Sequence, residues 1–245
     1  MNLYGLIGYP LGHSFSRQYF LEKFEREDIT GTEYKNFPLE EISAIKELII
    51  KTPGLKGLNI TIPYKRSVIE YLDDIAAIPT GVHACNCVKV KNGRCYGYNT
   101  DILGFEKALI PKLAEGQNKA LILGNGGATE AVKYVFNKHH IEYKIVSRTI
   151  HDGAAYTYQD LNPAILSAHL IIVNTTPLGM HPNVENYPCI PYHAISSYHY
   201  LFDMIYNPAE TQFLKKGAAQ GATIQNGYDM LCIQAEESWE IWNNM

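Results

Sequence analysis

The sequence has no long apolar run, and this absence excludes membrane-spanning proteins. No stretch of its 245 residues approaches the roughly 20 apolar residues that a spanning helix needs. The N-terminus, MNLYGLIGYPLGH, lacks a basic segment followed by a longer apolar one, so we expect a strand there and not a signal peptide. No dense basic run is present, and the formal net charge of -4 gives no reason to expect binding to nucleic acid or membranes. We therefore expect a cytoplasmic protein without a nucleic-acid or membrane partner.

Cysteine is scarce, with five residues in the chain. Cys85 and Cys87 are separated by one residue, a spacing that fits neither a redox CxxC motif nor a common zinc site. An odd number of cysteines without a secretion signal favours reduced thiols that act mostly as small apolar side chains. The sequence predicts no metal site.

What the sequence does contain is an alternation of strand-like and helix-like segments, which is typical of parallel βαβ units. With 46% hydrophobic and 19% charged residues, the composition is ordinary for a globular protein of one or two domains. Strands are predicted near 3–8, 33–37, 58–62, 85–91, 94–99, 119–123, 142–146, 170–173 and 200–205. Helices are predicted near 16–27, 39–51, 68–72, from 102, from the glycine-rich segment to 138, and over 230–242. The character of the chain changes near 101–103, where we place a domain boundary.

The segment GLNITIPYK, residues 57–65, places a lysine directly after a predicted strand. Aliphatic residues alternate there with Asn59 and Thr61, which would lie together on the opposite face. Pro63 cannot donate to a sheet ladder, so strand pairing is expected to end there. Lys65 follows at the C-terminal edge, where α/β proteins place their chemistry. The alternative from this segment alone is a capped strand with a solvated lysine.

Asn92-Gly93 lies between two alternating runs, which is the strongest short signal for a β-hairpin. A two-residue turn there pairs Asn86 with Asn99, so the two amides would meet at the open end. One face would carry Asn86, Val88, Val90, Cys95, Gly97 and Asn99, and the other Lys89, Lys91, Arg94, Tyr96 and Tyr98. Asp101 would emerge on the amide side, and we expect its carboxylate to approach Lys65 and keep the ammonium charged. An alternative, compatible with that role, is that a residue of 99–101 caps the following helix.

The segment GNGGA, residues 124–128, lies between a predicted strand and a predicted helix. Glycines let the backbone approach a pyrophosphate, and the N-terminus of the helix supplies N–H donors. Thr129 occupies the position of the third glycine of GxGxxG, so a tight turn without ligand is an alternative. The next strand ends in Ser147-Arg148-Thr149, where an NAD site would usually place an acidic residue. Arginine suits a 2′-phosphate instead, and although an exposed loop arginine is an alternative, the two segments together favour NADP.

Eight short motifs, in order along nearly the whole chain, resemble those of the shikimate dehydrogenase family. They are HSFS at 13–16, NITIPYK at 59–65, NTD at 99–101 with Asn86 before it, GNGGA at 124–128, SRT at 147–149, NTTPLGM at 174–180, DMIYNPAET at 203–211 and GYDMLCIQ at 227–234. The resemblance implies reversible, NADPH-dependent reduction of 3-dehydroshikimate to shikimate, on the route to aromatic amino acids.

The resemblance also implies an α/β fold with two domains. An N-terminal α/β substrate domain would comprise residues 1–101, completed by 228–245, and a Rossmann-like NADP-binding domain would comprise residues 102–227. The final helix would return to the first domain, and the active site would lie in the cleft between the two. We expect a monomer or a homodimer.

The same resemblance assigns roles to individual residues. Lys65 and Asp101 would be catalytic, with Lys65 supplying positive charge and a proton and Asp101 orienting it. Substrate would be bound by Ser14, Ser16, Asn59, Thr61, Asn86, Asn99, Tyr206 and Gln234. NADP would be bound by Gly124, Asn125, Gly126, Gly127, Ala128, Ser147, Arg148, Thr149, Thr175, Pro177, Gly227 and Met230.

Two departures from the family pattern concern the cofactor. Glu130 stands where the family often has arginine, and Ser147 replaces an asparagine. They leave a quinate/shikimate dehydrogenase with relaxed substrate or cofactor choice as an alternative. A methyltransferase is an alternative from another class, because glycine-rich loops also hold S-adenosylmethionine. That reading would need an acidic residue where Arg148 stands.

Overall fold

The structure is a computed structural model that describes residues 1–11, 15–150 and 153–244. Its contacts divide the chain into two compact units. The first comprises Met1–Asp101 with Gln234–Met245, and the second comprises Ile102–Ile233. Among the helices of the described residues, none combines the length and apolar character that a membrane span requires.

The elements are numbered in chain order. The strands are β1 (Asn2–Gly8), β2 (Thr32–Pro38), β3 (Leu55–Ile60), β4 (Cys87–Lys91), β5 (Arg94–Tyr98), β6 (Lys119–Leu123), β7 (Glu142–Ser147), β8 (Tyr156–Thr157), β9 (Ile171–Asn174), β10 (Tyr200–Asp203) and β11 (Thr223–Gln225). The α-helices are α1 (Phe15–Arg26), α2 (Ile45–Lys51), α3 (Asp101–Leu109), α4 (Gly127–Lys138), α5 (Pro163–Ala168), α6 (Gln212–Ala218) and α7 (Tyr228–Asn244). Short 3-10 helices lie at Ile42–Ala44, Ser67–Tyr71, Ile110–Lys112 and Tyr192–Ala194.

The first unit is built on a five-stranded sheet with the order β2-β1-β3-β4-β5. β1 pairs in parallel with β2 and β3, whereas the β3–β4 and β4–β5 pairs are antiparallel. β1 is buried along its length after Asn2, which is typical of an apolar strand flanked by parallel neighbours and covered on both faces.

β3 ends at Ile60 as a regular strand, but backbone bonds continue from Thr61 N–H to Ile7 O and from Tyr9 N–H to Ile62 O, so the pairing stops at Pro63 as predicted. Asn59 is buried like Leu58 and Ile60, whereas Ile62 beyond the strand is 56% exposed. The reason is that β3 lies between β1 and β4 and is covered on both faces, which an alternating pattern in one segment cannot reveal.

The predicted hairpin is confirmed. Its ladder pairs Lys91 with Arg94 and continues in register as far as Cys87 with Tyr98. Asn92-Gly93 has positive φ at both residues, as this kind of two-residue turn requires. The face predicted to be apolar is buried except at Asn99, which is half-buried, and the turn is exposed. Asp101, the first residue of α3, follows the hairpin and is buried.

Aromatic residues from four elements fill the core of the first unit. Tyr4 of β1 stacks on Trp242 of α7 with ring centroids 4.9 Å apart, and Phe20 of α1 stacks on Tyr34 of β2 at 4.6 Å. Gly57 of β3 lies beneath Trp242, where an added Cβ would be 2.3 Å from the indole Nε1. A glycine is therefore required for α7 to pack against this sheet.

The second unit is a six-stranded parallel sheet with the order β11-β10-β9-β6-β7-β8. The predicted strands near 119–123, 142–146, 170–173 and 200–205 correspond to β6, β7, β9 and β10. The sequence analysis does not predict β8, β11, α5 or α6, because these elements have two to seven residues, too few to show a periodic pattern. Since the strands are parallel, the loops that follow them leave at one edge of the sheet.

All five cysteines are free thiols, as the sequence predicts. Cys85, Cys87 and Cys95 are buried. Burial raises the pKa of Cys85 to about 12, so this thiol stays protonated and unreactive at neutral pH.

Gly57→Ala is expected to destabilise the protein by about 1–3 kcal/mol, the usual cost of overpacking a core. The new methyl would displace the ring of Trp242, whose Nε1 donates to the backbone C=O of Val88 at 3.1 Å. Thermal melting measures the effect. Lys56→Ala, at the exposed neighbouring position, is the control and should change stability by less than about 0.5 kcal/mol. Equal Tm values for the two variants would contradict the packing argument.

Candidate active site

The first unit brings Lys65 and Asp101 together, as the sequence hypothesis requires. Lys65 Nζ donates to Asp101 Oδ2 at 2.6 Å across 36 positions of sequence. The two side chains are 18% and 7% exposed, so little water separates them from each other or from the protein. What the pair does to a substrate remains a prediction.

The turn after β3 fixes the position of Lys65. Its backbone C=O accepts from the N–H of Cys85 at 2.7 Å, and the N–H of Tyr64 donates to Thr61 O at 2.9 Å. The hydroxyl of Tyr64 reaches the backbone carbonyls of residues 39 and 40 at 2.7 and 2.6 Å. The lysine is therefore held by backbone contacts on both sides of its turn.

Asn86 holds the second oxygen of Asp101. Its Nδ2 donates to Asp101 Oδ1 and to Thr100 Oγ1, both at 2.9 Å, and its Oδ1 accepts from Thr100 N–H at 2.7 Å. An amide has two N–H hydrogens, and both are directed into the protein here. The resemblance assigns Asn86 to the ring hydroxyls of the substrate, whereas the geometry makes it a support for Asp101.

A buried network continues from Thr100 into the core. Ser238 Oγ donates to the backbone C=O of Gln234 at 2.8 Å, so it is an acceptor for Asn59 Nδ2 at 3.0 Å and for Thr100 Oγ1 at 3.2 Å. Asn59 Oδ1 in turn accepts from the hydroxyl of Tyr34 at 2.8 Å. Tyr34, Asn59, Thr100 and Ser238 are each less than 5% exposed. Asn59, which the resemblance assigns to substrate, thus has both ends of its amide bonded to protein.

Asn99 is oriented differently from the sequence prediction. The ladder stops at Cys87 and Tyr98, and Asn99 Nδ2 donates to the backbone C=O of Ala84 at 2.9 Å. No hydrogen bond joins Asn99 to Asn86 in the described part of the chain, because α3 begins directly after this point and draws Thr100 and Asp101 towards Asn86. Asn99 Oδ1 is a buried acceptor without a partner among the described residues.

The remaining residues assigned to substrate lie at scattered positions. Thr61 directly follows β3 and is half-buried, and Ser16 is half-buried in the first turn of α1. Gln234 is 8% exposed in α7. Tyr206 belongs to the second unit, where burial raises its pKa. Ser14 lies outside the described residues.

The glycine loop between β6 and α4 has the backbone that its sequence indicates. Gly124 has φ +108, a conformation that other residues rarely adopt, and an added Cβ would be 2.8 Å from Thr175 Oγ1. Gly126 is the N-cap of α4, and nothing lies within 4 Å of the position that its Cβ would take. Asn125, Gly127 and Ala128 complete the loop. A phosphate could therefore approach the backbone at the helix N-terminus, where the helix dipole favours an anion.

The chain leaves the sheet at Arg148, beside this loop. β6 and β7 are paired neighbours, so the residues after Leu123 and after Ser147 emerge at the same edge. Ser147 is buried, whereas Arg148 and Thr149 are exposed. Glu130, in the first turn of α4, is 4% exposed and pairs with Lys133 at 3.2 Å. Its carboxylate is thus paired within its own helix.

The loop after β9 lies on the other side of β6. Thr175 donates to Leu123 O through its N–H at 2.9 Å and through its Oγ1 at 2.8 Å, which ties this loop to the glycine loop. Pro177 follows and is exposed. The predicted cofactor residues Arg148 and Thr175 therefore flank the glycine loop on opposite sides.

Two further predicted cofactor residues lie at the start of α7. Gly227 N–H donates to Ile205 O at 3.0 Å, and a Cβ at this glycine would be 2.3 Å from Met204 O. Met230 is 7% exposed. The beginning of α7 thus packs directly on the backbone that follows β10.

Comparison with known proteins decides the family. Residues 6–88 match the family model described as the shikimate dehydrogenase substrate binding domain. The shikimate dehydrogenase (NADP(+)) of Clostridium beijerinckii is 38% identical over 253 residues, covering 99% of this chain and 92% of that protein. The shikimate dehydrogenase (NADP(+)) of Methanococcus maripaludis is 36% identical over 260 residues, covering 99% of this chain and 92% of that protein. The crystal structure of shikimate dehydrogenase 1 from Peptoclostridium difficile superposes with a TM-score of 0.83 at 36% identity, covering 100% of this chain and 92% of that chain.

The chain belongs to the shikimate dehydrogenase family. Membership confirms the resemblance carried by the eight motifs and the predicted α/β fold with a Rossmann-like second domain. The relatives are NADP(+)-dependent oxidoreductases by name, which also agrees with the predicted cofactor. The methyltransferase alternative is wrong.

Sequence reasoning missed several residues that support the candidate site. Tyr34 and Tyr64 act through single hydroxyl groups, and no motif marked either of them. Ser238 contacts Asn59 across 179 positions. A signal for Ser238 did exist, because it follows Gln234 by one helical turn and so lies on the same face of α7.

Thr100→Val is expected to lower stability by about 1–3 kcal/mol and to reduce kcat about tenfold, because a buried Asn86 N–H loses its acceptor at 2.9 Å and keeps only the longer contact of 3.4 Å to Gln234 Oε1. Asn86 would then hold Asp101 less firmly. Thr100→Ser keeps the oxygen and is the matched control, with near wild-type values. Thermal melting and steady-state rates measure both effects. Identical behaviour of the two variants would show that the hydroxyl does not support the site.

Proposed function

We propose that this protein catalyses the reversible, NADPH-dependent reduction of 3-dehydroshikimate to shikimate, in aromatic amino acid biosynthesis. The observation that carries the proposal is the bond of 2.6 Å between Lys65 and Asp101 in a chain that belongs to the shikimate dehydrogenase family. We further propose that the first unit binds the substrate and the second binds NADP.

Lys65 is the proposed acid. Reduction of a ring ketone creates an alkoxide, which needs positive charge and then a proton. The ammonium of Lys65 has three hydrogens, and its bond to Asp101 uses one, so the same nitrogen can donate to the alkoxide. A positioned acid of this kind typically contributes ~10²–10⁴-fold to the rate.

Asp101 is the proposed orienting group. Its Oδ2 accepts from Lys65 and its Oδ1 from Asn86, so the carboxylate cannot rotate without breaking one of these bonds. Each carboxylate oxygen can accept a second hydrogen bond, and a substrate hydroxyl is the proposed donor. Lys65 and Asp101 together would therefore hold the substrate ring in place while Lys65 protonates its alkoxide.

The other residues proposed to bind substrate are assigned to different groups of the substrate. Thr61 and Asn99 lie near the two proposed catalytic residues in sequence, and Asn99 Oδ1, an acceptor without a partner among the described residues, suits a hydroxyl donor. Ser14 and Ser16 are proposed for the substrate carboxylate, and Tyr206 and Gln234 for its remaining polar groups. Asn59 and Asn86 are proposed to act mainly by supporting Asp101, since their amides are bonded within the protein.

The residues of the second unit fit NADP. The open position at the Gly126 Cβ and the N-terminus of α4 suit the pyrophosphate. The exposed guanidinium of Arg148 suits the 2′-phosphate, with Ser147 and Thr149 beside it. Thr175, Pro177, Gly227 and Met230 are proposed for the nicotinamide half. When bound, the cofactor supplies the hydride.

The remaining alternative is a quinate/shikimate dehydrogenase with relaxed substrate or cofactor choice. We propose instead a shikimate dehydrogenase that prefers NADP, because Arg148 is basic where NAD would favour an acidic residue. We also propose a cytoplasmic monomer or homodimer, and light scattering on the purified protein measures the oligomeric state.

One absorbance assay tests the function. Purified protein is mixed with shikimate or quinate and with NADP or NAD, and the appearance of reduced nicotinamide is followed. Turnover of shikimate with NADP is expected to exceed the other three combinations. Preference for quinate or for NAD would favour the alternative, and absence of turnover with all four would overturn the proposal.

Lys65→Ala is expected to lower kcat by about 10²–10⁴-fold with a modest change in KM, because the proton donor is lost while most substrate contacts remain. Lys46→Ala is the matched control, since Lys46 forms an ion pair of 2.9 Å with Asp73 in the same unit but is 42% exposed. The control should retain its turnover. Substantial turnover by the Lys65 variant would remove lysine from the mechanism.

Arg148→Ala is expected to weaken NADP binding by about 10–100-fold, the value of a charge-assisted hydrogen bond, and to change NAD binding little. Calorimetric titration with each cofactor measures the difference. Lys144→Ala removes an exposed cation from the same strand and serves as the control. Equal losses for NADP and NAD would contradict a role at the 2′-phosphate.

A further inference from the structure

Asp203 is a fully buried carboxylate at the C-terminal end of β10. Its Oδ1 accepts from Asn174 Nδ2 and from the N–H of Ile205, both at 3.0 Å. Its Oδ2 accepts from Thr211 Oγ1 at 2.6 Å. One side chain therefore bonds the end of β9, the turn after β10 and the start of α6.

The bond to Asn174 has a defined direction. Asn174 Oδ1 accepts from the N–H of Thr176 at 3.0 Å and from its Oγ1 at 2.6 Å, so the amide must present its Nδ2 to Asp203. The carboxylate thus orders the loop after β9 through Asn174. That loop carries Thr175 and Pro177, the proposed contacts of the nicotinamide half.

The bonds to Ile205 and Thr211 order the turn after β10. Thr211 is also the N-cap of α6, with its Oγ1 3.4 Å from the N–H of Leu214. Ile205 O accepts from Gly227 N–H at 3.0 Å, so the start of α7 is bonded to the same turn. Three segments with proposed cofactor or substrate contacts therefore depend on one buried group.

The groups that act on Asp203 are neutral donors from β9, from its own turn and from α6. Burial raises its pKa to about 7, and these three hydrogen bonds oppose the rise. Among the described residues, Tyr192 is an ionisable group whose pKa is raised mainly by burial and to a smaller extent by the charge of Asp203. Asparagine could make the same set of bonds, because Thr211 can accept as well as donate.

The strand order separates the two halves of the cofactor site. β7, which leads to Arg148, and β9, which leads to Thr175, lie on opposite sides of β6. A dinucleotide laid across the glycine loop would then place its 2′-phosphate half over β7 and its other half over β9. Asp203 in β10 is next to β9 and away from β7.

We propose that Asp203 is a positioning residue that orders the nicotinamide side of the cofactor site through Asn174 and the turn after β10, an inference that rests on the proposed function. It touches neither cofactor nor substrate. Its loss would loosen the β9 side of the site and leave the β7 side intact.

Asp203→Leu and Asp203→Asn test this in the full-length protein. Calorimetry gives the Kd for NADP and for adenosine 2′,5′-bisphosphate, which is the half of NADP that carries the 2′-phosphate. For Asp203→Leu we expect Kd for NADP to rise about tenfold or more, because buried donors lose their acceptor, with bisphosphate binding within about twofold. Asp203→Asn should restore NADP binding to within about threefold of the wild type, since it keeps the bonds.

Glu106→Leu is the control. Glu106 is a partly buried carboxylate of the same unit, paired with Lys138 and His139 at the far end of α4. Its loss should leave both affinities unchanged. Thermal melts ensure that each titration is done on folded protein.

Two results would overturn the proposal. They are an Asp203→Leu protein that binds NADP like the wild type, and one that loses NADP and bisphosphate affinity equally, which would indicate general structural damage. If Asp203→Leu does not fold, Asp203→Ala removes the same acceptor oxygens without adding bulk and is held to the same two outcomes. Failure of the proposed function is distinguishable, because the wild-type protein itself would then neither bind NADP nor oxidise shikimate.

Discussion

The first unit depends on one constraint, which is that the carboxylate of Asp101 is 7% exposed and must be compensated within the protein. A buried charge without partners costs several kcal/mol, so the fold has to deliver donors to both of its oxygens. Lys65 comes from the turn after β3 and Asn86 from the start of the hairpin. Neither donor is a sequence neighbour of Asp101. The sheet order, which places β4 between β3 and β5, is what brings the three together.

A network of hydrogen bonds with defined donors and acceptors surrounds Asp101. The amide of Asn59 is fixed because Ser238 has committed its own hydrogen to a backbone carbonyl and can only accept from it. Thr100 then links the hydrogen bonds of Asn59 and Ser238 to Asn86. Apolar residues of similar volume could fill the same space, but they would not specify which way each amide points. The network therefore sets the orientation of the proposed catalytic carboxylate as well as its position.

Much of this was predictable from the sequence, and the exceptions have physical causes. The hairpin was predictable because Asn92-Gly93 sets its register locally, and the approach of Asp101 to Lys65 followed from that register and the motif spacing. The burial of Asn59 on β3 was not, because it depends on elements far away in sequence. The partner of Asn99 was missed because the chain leaves the ladder one residue early to begin α3. Interactions such as that of Ser238 with Asn59 arise from tertiary packing and leave no local pattern.

A comparison of the two buried aspartates explains why the chemistry is assigned to one of them. Asp101 faces an ammonium, so its charge is balanced and a proton can pass between a charged pair and a substrate. Asp203 faces neutral donors and has no cationic partner among the described residues, and burial raises its pKa to about 7. Its three bonds instead connect segments of backbone that separate strands deliver to the same edge of a parallel sheet. Both carboxylates lie at the point where a strand ends or a helix begins, and the cationic partner of Asp101 is the reason that we propose a catalytic role for Asp101 and a structural role for Asp203.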